Sequence, residues 1–292
     1  MKLYFYKGEE PNFGDELNEW LMPRVFGDAL DDNESEMLLA IGSILFDHHP
    51  SDVRKIVFGS GYGGYTPVPT IDETWDVVCV RGPLTAAAIK VPQSKVSGDT
   101  AILLRNYYKP DNTKRVRASF MPHFQSLARG QWQRVCERAG IRFIDPRLPV
   151  EDVLRMLCES EVVVAEAMHG AIVSDALRIP WVAIVPFDKS HHMKWEDWAG
   201  ALGLQVNFRH LAPSTEYEQR FSLGLQPGPN PTVIKRLIRK LIQALRFTRA
   251  VISLRRAAAA MPQLSSEEAI ARATDHLERA ANLINSRNQR SR

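Results

Sequence analysis

Short apolar stretches that end in glycine and hand over to helical or polar segments follow one another through the first two thirds of this 292-residue chain. That rhythm restricts the fold more than any other feature. KLYFY is a strand and GDELNEWLMPRVF reads as a helix; MLLAIGSIL, KIVFGSG and WDVVCVRG are strands, LTAAAIK is a short helix, and VSGDTAILL is a further strand. RNYYKPDNTKR, with Pro110, Asp111 and Asn112, reads as a linker. The rhythm then resumes with VRASFMPHF, QWQRVCERAG, IRFID, VEDVLRMLCES, EVVVAEA, HGAIVSDALR and PWVAIVP. Strands alternating with helices form a parallel sheet covered by helices. The predicted fold is α/β: two Rossmann-like doubly wound domains facing a cleft, over residues 1–108 and 109–210, with a helical C-terminal extension over 211–292. Ligands of such domains bind at the carboxyl ends of the strands, so the cleft is the expected site.

The composition, 45% apolar and 24% charged, supports a core for two such units. Cys79, Cys136 and Cys158 are odd in number, widely spaced and outside any ligand pattern, so reduced thiols are expected. No export signal opens the sequence and no window reaches the ~20 apolar residues of a bilayer span, which predicts a cytoplasmic protein. The net charge of +3 hides an asymmetry: nine basic and no acidic residues lie between Arg220 and Ser266, leaving −6 elsewhere. Within that segment Leu237, Ile238, Leu241, Leu245 and Ile252 recur near helical period, with Lys235, Arg236, Arg239, Lys240 and Arg246 around them. A cationic amphipathic helix is expected at about 232–255. It carries no reader motif, so nucleic acid is not an expected partner.

The chemistry-bearing residues sit at strand ends. NFGDE supplies Asn12 and Asp15 in the first strand-to-helix turn, where Asp15 can cap a helix or act as acid or base. FGSGYGGY offers Gly59, Ser60 and Gly61 as backbone donors for a sugar or anion, without the spacing of a nucleotide loop. VRGPLT places Arg81 beside a helix start, where a guanidinium can grip a phosphate or carboxylate. MPHF puts His123 after a strand. AEAMHG puts Glu166 and His169 at another strand end, with a helix opening behind the imidazole. DKSHHMKWEDW then brings Lys189, His191 and Lys194 together with Trp195 and Asp197. His191 and His192 lack a third spaced ligand, so no metal is expected. Together these residues suit a small, multiply charged anion, and no cofactor is implied.

NFGDELN, GSG, VRGPLT, SGDTAIL and above all AEAMHGAIVSDALRIPW with HHMKWEDW, in this order and spacing, resemble the polysaccharide pyruvyl transferase family over roughly residues 1 to 205. The likeness is to the branch that places ketal pyruvate on bacterial exopolysaccharide. It implies a glycosyltransferase-B-like fold, phosphoenolpyruvate as donor, and a repeat unit on polyprenyl diphosphate at the cytoplasmic face of the inner membrane as acceptor. The family's donor-binding arginine corresponds to Arg81 and its histidine before glycine to His169. Many members carry an arginine two residues earlier, where this chain has Ala167; Lys189, His191 or Lys194 would replace it. On this reading His169 lies near the phosphate or acts as acid, and Glu166 or Asp15 as base. Asn12, Gly59, Ser60, Gly61, Trp195 and Asp197 face the acceptor. The cationic helix, through Lys235, Arg236, Arg239, Lys240 and Arg246, lies on an anionic membrane surface. Two alternatives stay open: a nucleotide-sugar glycosyltransferase of similar fold, and a non-catalytic assembly protein of a polysaccharide machine.

Overall fold

A computed structural model describes residues 1–111, 113–185, 191–225 and 233–290, without the side chains of 233–238 and 289–290. The fold is α/β, with two four-stranded parallel sheets. The first has the order β1 (Lys2–Tyr4), β2 (Glu36–Leu39), β3 (Arg54–Ser60), β4 (Trp75–Val80); pairs such as Leu38 with Ile56 fix its register. The second runs β6 (Arg142–Phe143), β5 (Val116–Met121), β7 (Ser160–Ala165), β8 (Trp181–Ala183), with Val164 opposite Val182. Strands of a covered parallel sheet are buried on both faces. Accordingly β3 is buried from Lys55 onward, the Lys55 ammonium reaching Thr74 Oγ1 at 2.8 Å.

The winding differs between the sheets. Around β5 the strand order reverses, as a doubly wound unit requires, whereas the described strands of the first sheet follow one another in sequence. The helix α1 (Phe13–Phe26) links β1 to β2, but residues 40–53 and 61–74 cross between later strands without an α-helix. These crossovers are long enough to join parallel strands without one. Expectation and structure also part at VSGDTAILL. Of this stretch Val96 bridges the sheet, to Val80; Thr100–Leu103 form a 3-10 turn that continues into α3 (Leu104–Tyr107), which runs into the expected linker. The cause is local. The Asp99 side chain accepts from Ala101 N at 3.0 Å and turns an apolar run helical.

The helices α5 (Trp132–Ala139), α6 (Val150–Cys158) and α7 (Met168–Ala176) fall where the apolar periods place them, and α5 stops at left-handed Gly140. The helices α2 (Pro83–Ala88), α4 (Phe124–Arg129), α8 (His192–Ala201) and α9 (Glu216–Ser222) complete the two units. The units share a core: Phe13, Leu17 and Met22 of α1 pack with Met168 and Ile172 of α7 and with residues beneath both sheets. The C-terminal segment is not a separate extension. From α10 (Val233–Ala258), Ala250, Val251 and Leu254 bury against the α5 layer of the second sheet; from α11 (Glu267–Arg290), Ile270, Leu277 and Ile284 return to the shared core. The expected apolar stripe of α10 is therefore displaced. Leu241, Leu245 and Ile252 are exposed, by 65% and 57% for the two leucines. No helix among the described residues is long and apolar enough to cross a membrane.

Candidate active site

Between the carboxyl ends of the two sheets lies a cavity of about 600 Å³. Its first wall comes from β1 and the loops that follow it and β2: Tyr4, Tyr6, Asn12, Asp15 and Ser43, with Phe46 and His48 further along and Tyr65 from the loop after β3. Its second wall comes from the ends of β5 and β7 and the start of α8: His123, Gln125, Met168, His169, His191 and Lys194. One wall is aromatic and carries a carboxylate; the other carries the bases.

Asp15 stands in the first turn of α1, where Asn12 Nδ2 donates to its Oδ2 at 2.7 Å. Burial raises its pKa above the ordinary 3.8, against the opposing pull of the Asn12 bond and of the nearby His169 and Lys194. A carboxyl in that condition holds its proton more readily than a surface aspartate. His169 opens α7, and its ring lies so close to α1 that a Cβ on Gly14 would be 2.1 Å from Nδ1. Its Nε2 faces Asp99 Oδ2 at 3.8 Å. The glycine of NFGD and the histidine of MHG thus meet across the two units.

His123 caps α4, its Nδ1 accepting from Gln125 N at 3.4 Å, and its ring lies 4.8 Å from that of His191. Burial pushes its pKa well below 6.5, assisted by the positive charges of Lys194, His191 and Arg129. It enters the cavity as a neutral imidazole. Glu166, expected as a base, is buried and does not line the cavity. Its carboxylate accepts from His123 N at 2.9 Å and Ser126 Oγ at 2.8 Å, so it fixes the turn that presents His123.

Arg81 also departs from expectation. Its guanidinium is fully buried behind the first wall, where Nε donates to Asp197 Oδ2 at 3.0 Å, Nη1 to Ser43 Oγ at 2.7 Å and Nη2 to Tyr62 O at 3.1 Å. Asp197, expected beside the acceptor, is buried too, and also accepts from Thr85 N and Thr85 Oγ1. The pair clamps α8 to α2 and, among the described residues, reaches the cavity through Ser43. The glycine-rich loop serves the same packing. A Cβ on Gly61 would be 2.1 Å from Arg81 Cζ, and one on Gly59, at φ +71°, 2.2 Å from Thr100 Oγ1. Gly61 N and Ser60 Oγ both donate to Gly42 O, at 2.9 and 3.0 Å, so neither is offered to a ligand.

The family model for polysaccharide pyruvyl transferase matches residues 26–186, from the end of α1 through β8. The chain belongs to this family. It is 36% identical over 221 residues, 75% of this chain and 70% of the relative, to the succinoglycan biosynthesis protein ExoV of Rhizobium meliloti (strain 1021). No solved structure gives a significant match. Membership makes the chain a transferase. The matched span holds His123, Glu166 and His169, whereas Asn12, Asp15, His191 and Lys194 complete this transferase's cavity from outside it.

Of the residues singled out in the sequence, Asn12, Asp15, His123, His169, His191 and Lys194 share the pyruvyl transferase cavity. Lys189 lies outside the described residues. Trp195 is fully buried with Trp181 and Trp198, because HHMKWEDW forms α8 and its helical period turns both tryptophans inward. Tyr4, Tyr6, Ser43, Phe46, His48 and Tyr65 were not anticipated. Their signal was available only in part: each ends or follows a parallel strand, where such sites gather. Among the described residues no cluster of His, Cys, Asp and Glu is arranged to hold a metal. On α10, Arg239 pairs with Glu216 at 2.5 Å and Arg246 bonds Gln219 at 2.6 Å, so two of the expected membrane cations are tied to α9; the side chains of Lys235 and Arg236 lie outside the described residues, and Lys240 is exposed.

Proposed function

We propose that this transferase moves the pyruvyl unit of phosphoenolpyruvate onto a sugar of a lipid-linked exopolysaccharide repeat unit, forming a cyclic ketal. One observation carries the reading: His169, His191 and Lys194 face Asp15, whose proton affinity burial raises, across a cavity whose other rim is aromatic. The donor's carboxylate and phosphate need fixed cations, which the second wall supplies. His191 and Lys194 take the place of the arginine that Ala167 lacks. The sugar stacks on Tyr4, Tyr6 and Tyr65, whose flat faces suit the apolar side of a pyranose.

The reaction balances with these groups. Asp15 gives its proton to the methylene carbon, which becomes the methyl group as positive charge develops at C2. The first sugar hydroxyl adds there and loses its proton to His169. The C2–O bond to the phosphate then breaks, the phosphate leaving with that oxygen and taking a proton from His169, and the second hydroxyl bonds to C2, closing the ketal and returning a proton to Asp15. Donor and diol yield ketal and inorganic phosphate. His123, held neutral, donates a hydrogen bond to the phosphate without adding charge.

The lipid-linked acceptor places the enzyme in the cytoplasm at the surface of the inner membrane. The exposed Leu241 and Leu245 beside Lys240 support contact with anionic lipid through α10. The decisive experiment incubates the protein with phosphoenolpyruvate and a lipid-linked oligosaccharide extract, following phosphate release and the ketal by mass spectrometry. Both products are expected, and His169→Ala abolishes them with the fold intact. Product formation from UDP- or GDP-sugars instead would overturn the reading.

A further inference from the structure

We infer that Asp99 is the positioning residue of His169: it takes the hydrogen on Nε2 and thereby leaves Nδ1 as the nitrogen that works in the cavity. The inference deepens the proposed function, and its kinetic part rests on that reading. Asp99 is fully buried. Its Oδ1 accepts from Ala101 N at 3.0 Å, while Oδ2 has no hydrogen-bond partner among the described residues. His169 Nε2 is equally buried and equally unpartnered, and it stands 3.8 Å from that Oδ2.

Buried polar atoms without partners are few in a folded protein, and each calls for an explanation. Here two of opposite capacity face one another. A closure of about 1 Å makes a hydrogen bond of them, and bonds between catalytic groups commonly tighten when substrate arrives. A carboxylate only accepts, so the proton must be on Nε2. The lone pair is then on Nδ1, the ring atom that lies nearest a Gly14 side-chain position, one residue from Asp15. When Nδ1 takes a sugar proton, the imidazolium that results is stabilised by the buried carboxylate behind it. The two residues come from different units: Asp99 caps the 3-10 turn that leads into α3, and His169 stands on α7. Closing the bond therefore also fixes the width of the cavity.

Asp99→Asn tests this without disturbing the cap. The amide oxygen retains the bond from Ala101 N, so the amide NH2 is what faces His169. Donor then meets Nε2, and the ring must carry its hydrogen on Nδ1 instead. Long-range 1H–15N spectra of the side chain, recorded on the neutral ring without substrate, read the tautomer directly. The expected result is Nε2–H in the wild type and Nδ1–H in Asp99→Asn. The same exchange in an Asp–His–Ser triad lowers kcat by about 10⁴. A loss of at least about a hundredfold in kcat for ketal formation, with a small change in KM for phosphoenolpyruvate, is expected here. An Nδ1–H tautomer in the wild type, or an unchanged tautomer in Asp99→Asn, overturns the assignment. If Asp99→Asn does not fold, the wild-type spectrum decides alone. A wild-type enzyme that forms no ketal refutes the pyruvyl-transfer reading and leaves the tautomer test standing.

Discussion

Gly14 and His169, 155 positions apart, touch so closely that a single methyl group on the glycine would stand 2.1 Å from the imidazole Nδ1. No flexible end of a side chain is there to yield; the ring itself must turn or α1 must shift. A displacement of about 1 Å at a reacting group costs about 10² in rate, and overpacking a filled space costs about 1–3 kcal/mol. Gly14→Ala is thus expected to keep the fold, to lose a modest part of its stability in urea titrations, and to fall about a hundredfold in kcat. Wild-type turnover would show that the position of His169 does not matter to the reaction.

Arg81 and Asp197 form a buried, multiply bonded pair. Removing one partner strands the other charge, at a cost of about 3–5 kcal/mol. Arg81→Met and Asp197→Leu should each lower stability by that order, and the double variant should lose less than the sum of the two. Urea unfolding of the four proteins gives the answer. If Arg81 instead gripped the donor, Arg81→Met would raise KM for phosphoenolpyruvate and leave the unfolding midpoint in place.

Those two relationships mark where sequence reasoning reached its limit. Strand ends and helices such as β7 and α7 are legible because period and glycine punctuation are local properties. Asp15, His169, His191 and Lys194 were legible for the same reason, each lying where a strand or strand-following loop meets a helix. The direction in which a strand-end side chain points is not local. Arg81 and Glu166 sit at strand ends yet turn inward, because Asp197 on α8 and the His123–Ser126 turn, far away in sequence, provide partners for them. VSGDTAILL misled differently: its apolar run fits a strand, and a single capping carboxylate on Asp99 reversed that outcome.

Two titrating groups give the protein opposite pH responses. His123 is held well below 6.5, chiefly by burial, so the unfolded chain takes up a proton below about pH 6.5 that the folded chain refuses. Stability from this group is present above that pH and is lost as pH falls from it toward the lowered folded value. His123→Gln should flatten the fall in melting temperature on acidification. An unchanged pH slope would mean that His123 ionises freely in the fold.

Asp15 runs the other way. Its folded pKa is raised above 3.8, chiefly by burial, so the folded chain holds the proton more tightly. Its favourable effect is present at low pH and fades as pH rises from about 3.8 through the raised value. Asp15→Asn keeps a partner for Asn12 and removes the buried charge. At neutral pH the variant should melt higher than the wild type while ketal formation is lost, the trade expected where a site strains the fold. A lower melting temperature would show that the ionised Asp15 stabilises the protein.

The proposed membrane role of α10 is open to a test that leaves the cavity alone. Leu241 and Leu245 are exposed by 65% and 57%, Ile252 by 43%, and Lys240 and Arg249 are exposed beside them. The face of the helix that packs, through Ala250, Val251 and Leu254, is separate from this surface. Each basic residue near an anionic bilayer contributes about 1 kcal/mol, and each buried leucine adds to it in proportion to its apolar area. Leu241→Gln combined with Leu245→Gln should therefore reduce flotation with phosphatidylglycerol vesicles by at least about tenfold without lowering the melting temperature. Lys240→Glu should do the same and make the residual binding less sensitive to salt, since it removes a charge and not an apolar contact. Soluble acceptor analogues should be turned over by both variants as by the wild type, which separates the lipid surface from the chemistry. Flotation equal to that of the wild type in both variants would remove α10 from the membrane and return its exposed leucines to an unassigned surface.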